Sequence, residues 1–71
     1  MSSDVEYILL DQLTMNQLGE FPTFEEAEEA FFRFVKPHPA AAEHIEIWRD
    51  DGKNAEQLVV DPEKIRRVTA A

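Results

Sequence analysis

There is no cysteine among the 71 residues, so disulfides and thiolate-held metals are excluded. A cysteine-free chain suits a reducing compartment. Glycine occurs only at Gly19 and Gly52, which stand apart, so there is no glycine-rich loop to cradle a phosphate. The only serines are Ser2 and Ser3, and no histidine stands in an obvious pairing with Thr14, Thr23 or Thr69, so no activated nucleophile is legible. No apolar run approaches the ~20 residues of a membrane span. The opening "MSSDVEYILL" has no basic region and sets an acid before its short apolar run, the wrong order for a signal peptide. A cytoplasmic protein without membrane contact is the expectation.

Positive charge is missing from the first thirty residues. They hold eight acids (Asp4, Glu6, Asp11, Glu20, Glu25, Glu26, Glu28, Glu29) and no Lys or Arg, and the signs balance from Phe31 onward, so the net charge of −8 sits in that first stretch. Such a surface repels phosphate backbones, and the small cluster of Lys64, Arg66 and Arg67 does not offset it; direct nucleic-acid binding is not expected. The acidity serves solubility or a basic partner. One domain, residues 1–71, is expected, with residues 1–4 and 70–71 weakly tied. A chain of this size buries only about 60% of the surface its unfolded form exposes. Without disulfides or metal, pairing with a second copy is the support left to it.

Several elements are legible. Val5–Leu10, "VEYILL", reads as a strand with β-branched and aromatic residues, Val5, Tyr7 and Leu9 on one face and Glu6, Ile8 and Leu10 on the other. Both faces are largely apolar, which predicts a central strand or one covered on both sides. "DQLTMNQ" is a turn with Asn16 suited to a left-handed backbone, and Leu18–Phe21 returns as a short strand weakened by Gly19. His44–Arg49, "HIEIWR", alternates strictly, Ile45 and Ile47 against His44, Glu46 and Trp48. Asp51-Gly52 is a hairpin dipeptide, and Gln57–Val60 is the return strand. Pro39 can open one helical turn at the alanines, and Asp61-Pro62 starts a C-terminal helix or tail with Ile65 and Val68 on one side.

The clearest element is the helix predicted from Phe24 to Val35. Thr23 and Glu26 form a capping box, and the acids of the first turns favour the helix dipole. Pro37 disfavours helix at Lys36. Phe24, Ala27, Phe31, Phe34 and Val35 form one apolar stripe with Ala30 at its edge; Glu25, Glu29, Arg33 and Lys36 lie opposite. Glu28 borders the stripe, and Phe32 falls about 120° from its centre. The fold class is therefore α+β: a small antiparallel sheet in the order β-β-α-β-β, one amphipathic helix on one face, and a short C-terminal helix or tail.

Candidate chemistry is thin. His38 and His44 are six apart with Pro37 and Pro39 breaking any helix between them, so they lack the spacing that brings two imidazoles to one metal. "DDGKN" departs from a calcium loop, which needs alternating acids and a closing glutamate, and reads as a turn. No cofactor, metal or catalytic residue is expected, and the chain is not read as an enzyme. The aromatics that fit a single small core poorly are more informative. Phe32 beside Glu28, Trp48 opposite Ile45 and Ile47, and Tyr7 are candidate contacts with a partner or a second copy; alternatively the C-terminal segment covers Trp48 through Ile65 or Val68. The expected function is a non-catalytic protein-interaction module, homodimeric or bound to another protein. The alternative is an acidic decoy, an antitoxin-like inhibitor of a basic nucleic-acid-binding protein.

The stretch "YILLDQLTMNQLGEFPTFEEAEEAF" resembles a group of very short bacterial proteins of uncharacterised function that join a Tyr-initiated strand and a polar hairpin to a Thr-x-x-Glu-Ala helix. The resemblance spans about residues 7 to 60 and implies the same β-β-α-β-β order. "FPTFEEAEEAFFRFV" is also similar to the helix entry of HicB-type antitoxins, although that family places three strands before its helix and only about twenty residues precede it here. Neither resemblance carries a functional residue over.

Overall fold

The computed structural model describes residues 5–70. The expectation that residues 1–4 and 71 are loose falls outside them; Ala70 is described, and its N–H donates to the Arg66 carbonyl at 2.9 Å. The elements run β1 (Glu6–Asp11), β2 (Asn16–Phe21), α1 (Phe24–Val35), a 3-10 turn (Pro39–Glu43), β3 (Ile45–Asp50), β4 (Ala55–Leu58) and α2 (Pro62–Thr69). All strand pairs are antiparallel, in the order β2-β1-β3-β4. The α+β class and the β-β-α-β-β order are those expected from the sequence, and the C-terminal segment is a helix.

Both hairpins differ from expectation in their details, for local reasons. The first turn places Met15, at φ 59°, in the left-handed region, and Asn16 already belongs to β2. Asp11 and Thr14 stabilise this turn by accepting from the N–H groups of Leu13 (3.0 Å) and Asn16 (3.3 Å). Leu9 pairs with Gly19 and Leu10 with Gln17, so Leu18 is the extra residue of a β-bulge. The bulge lets Leu18 pack toward the core, and the ring of Phe21 lies over Gly19 where a Cβ would sit. In the second hairpin β4 begins two residues earlier than expected, because Asp50 pairs with Ala55 across a four-residue loop. Gly52 takes φ 90° there, and the Asp51 carboxylate accepts from the N–H groups of Lys53 (2.9 Å) and Asn54 (2.7 Å). Val59 and Val60 fall beyond the strand; Val59 is 80% exposed and Val60 reaches the core.

Helix α1 has the predicted bounds. The Glu26 N–H donates to the Thr23 hydroxyl at 3.2 Å, and that hydroxyl donates to the Glu26 carboxylate at 3.2 Å, a side-chain version of the reciprocal cap. Arg33 and Glu29 pair at 3.1 Å on the wet face. The core gathers Leu9, Ile45 and Ile47 from the sheet, Ala27, Ala30, Phe31 and Val35 from α1, and Val60. All face one side of the sheet, where α2 also lies, its Ile65 packed against the same cluster. The shortest dimension of the fold is 16 Å, one sheet and one helix layer. No described helix is long and apolar enough to cross a membrane.

Candidate functional site

Strand alternation sorts the sheet into two faces. Buried Leu9, Ile45 and Ile47 mark the helix side, which also takes Tyr7, Phe21 and Leu58. The opposite face carries Ile8, Leu10 and Trp48. Ile8 pairs directly with Trp48 across β1 and β3, and Leu10 stands two residues along from Ile8. All three are half-buried, and none packs against the core. No described helix covers them. β1 is central, one of the two arrangements expected, and among the described residues helices cover it on one side.

The register fixes what surrounds this apolar centre. Glu20 lies beside Ile8 on β2, and Gln57 beside Trp48 on β4. Glu46 lies opposite Leu10, with Gln17 on its other flank. Glu6 and Asp50 are register partners across β1 and β3, a position where like charges are unfavourable, and the Asp50 carboxylate also accepts from the Gly52 N–H at 2.8 Å. The four carboxylates have no Lys or Arg among them on this face, since Arg49 alternates to the helix side. The indole N–H of Trp48 donates to Glu46 Oε1 at 3.0 Å, which holds the ring along the strand.

The candidate contact residues read from the sequence divide between the two faces. Trp48 stands on the bare face, and α2 does not cover it, because Ile65 docks on the far side of the sheet. Tyr7 lies on the helix side, edge-on to Phe24 with ring centroids 6.2 Å apart. Glu28 and Phe32 meet α2. Lys64 Nζ donates to Glu28 Oε1 at 2.6 Å and stands 5.8 Å from the Phe32 ring centroid, while Phe32 packs edge-on to Phe31 at 5.2 Å. Tyr7, Glu28 and Phe32 thus each make a contact within the chain. Phe34, expected in the stripe, is 43% exposed on a groove shared with Leu18, His38, Ala41 and His44. There His44 Nδ1 and Asp11 Oδ1 are 3.3 Å apart. Partial burial opposes the Asp11 charge, but the N–H groups of Leu13 and Thr14 and the His44 ring together hold its pKa below the ordinary 3.8. The pair ties β1 to β3, as does the Gln12 N–H to the His44 carbonyl at 2.7 Å.

Ile8, Leu10 and the carboxylates around them were not singled out from the sequence. The signal was present: an apolar second face on β1, and only one long amphipathic helix to cover a four-stranded sheet. Among the described residues no group of His and acids could hold a metal.

Fold and face together define a two-layer α+β domain in which, among the described residues, one sheet surface is helix-covered and the other bare. No family model matches this chain, and no curated protein or solved structure matches it.

Proposed function

We propose that this chain is a non-catalytic protein-interaction module that works through the bare face of its sheet. The observation that carries the reading is the Ile8–Trp48–Leu10 cluster, apolar, outside the core and ringed by polar groups. A contiguous apolar patch with a polar rim is the anatomy of a protein contact surface. Tryptophan, here Trp48 beside Ile8, is among the residue types that most often dominate binding energy. The groove at Phe34 offers a weaker case, since its Asp11–His44 pair already serves to join two strands.

The test compares baits. Purified wild type, Ile8→Gln, Trp48→Gln and the groove variant Phe34→Gln are checked for equal thermal melts, then used to capture proteins from a lysate of the source organism. A protein retained by wild type and Phe34→Gln but lost with both bare-face variants supports the reading. Identical capture by all four sinks it.

A further inference from the structure

We infer that the occupant of the bare face is a cationic protein segment with an apolar centre, not a second copy of this chain; the inference rests on the interaction-module reading above. Charge decides it. Pairing two bare faces about a two-fold axis sets the carboxylates of Glu6, Glu20, Glu46 and Asp50 against the same four of the other copy, with no Lys or Arg on either face to answer them. Like charges brought together at an interface are penalised, increasingly so as water leaves. A partner with Lys or Arg around an apolar centre meets the same carboxylates favourably and relieves the Glu6–Asp50 opposition across β1 and β3.

Size points the same way. Four strands at about 4.8 Å and six residues at about 3.3 Å make a face of roughly 19 by 20 Å, or ~400 Å² in outline. A stable interface takes about 800 Å² from each partner. The bare face alone is small for a lasting dimer of folded domains but adequate for a short segment laid across the strands. Binding then depends on the Trp48 anchor and on the carboxylates that steer and orient the cations.

Two synthetic peptides provide the probe, one alternating leucine with lysine and one alternating leucine with glutamate. Binding is read from Trp48 fluorescence, Trp48 being the chain's only tryptophan. The lysine peptide should bind at least about tenfold more tightly at low ionic strength and lose affinity as salt is added. The double variant Glu6→Gln/Asp50→Asn should weaken that binding about three- to tenfold. The double variant Glu25→Gln/Glu29→Gln, which removes the same charge from α1, should leave it within about twofold. Equal affinity for the two peptides, or equal loss from the two double variants, overturns the inference. So does light scattering that shows a dimer with Trp48 shielded from acrylamide. In that last case the bare face is still a contact surface, and the interaction-module reading stands without this partner.

Discussion

Phe31, Phe32 and Phe34 are three copies of one side chain within one turn of α1, and they have three different fates. Phe31 is buried at the centre of the core. Phe32 is half-buried because α2 packs on that flank and sets Lys64 across its ring and onto Glu28. Phe34 is exposed because its flank looks into an open groove. Truncation to alanine should follow this order when measured by urea unfolding. Phe31→Ala should cost ~3–5 kcal/mol, enough to unfold a domain whose total is about 5 kcal/mol. Phe32→Ala should cost about 2 kcal/mol, and Phe34→Ala less than about 1 kcal/mol. An equal loss at Phe32 and Phe34 would contradict the docking of α2. Helical periodicity alone ranks these residues differently, with Phe34 in the stripe and Phe32 off it. Angles around one helix say which residues share a face, but not which flank a second helix will take.

Among the elements, the β3–β4 hairpin carries a dependence on pH. The N–H groups of Asn54 and Lys53 hold the pKa of Asp51 below 3.8, against a smaller opposing effect of burial and with help from Arg49. A carboxylate whose pKa is depressed by folding adds stability that is fully present above its unfolded value and lost as pH falls through the folded one. The hairpin should therefore loosen at a pH below about 3.8, not near neutrality. Urea midpoints followed between about pH 5 and 3 should fall for the wild type and fall less steeply for Asp51→Asn. Identical slopes would show that the loop does not select the ionised carboxylate. Asp51-Gly52 was legible as a hairpin from the dipeptide itself. The start of β4 was not, because the loop holds four residues and "QLVV" looks more like a strand than "AEQL". Register won over β propensity: Leu58 pairs with Ile47, and the chain then leaves the sheet so that Val60 enters the core.

For the whole molecule, the distribution of charge matters as much as its sum. The net charge is −8, and four of the acids share the bare face without a cation. Salt screens such repulsion over a Debye length of about 8 Å at physiological strength. Raising sodium chloride from roughly 0.01 to 0.15 M should therefore raise the melting temperature, and Glu6→Gln/Asp50→Asn should reduce that gain. A melting temperature that falls with added salt would mean that ion pairs such as Lys64–Glu28 outweigh the repulsion. The thinness of the fold explains the exposed face. One helix of twelve residues and a second of eight form a single layer, and a four-stranded sheet has two sides.

Local physics alone writes several of the elements into the sequence: the cap at Thr23, the length of α1, and the alternation that turns Ile45 and Ile47 inward. Turn chemistry and periodicity act over a few residues, so they can be read without knowing the rest. Which side of the sheet both helices share, and with it the fates of Phe32, Phe34 and Trp48, is settled by the packing of the whole fold. That choice depends on contacts between residues far apart in the chain, such as Glu28 with Lys64 and Ile8 with Trp48. An apolar residue in β1 looks the same in sequence whether a helix or solvent lies over it.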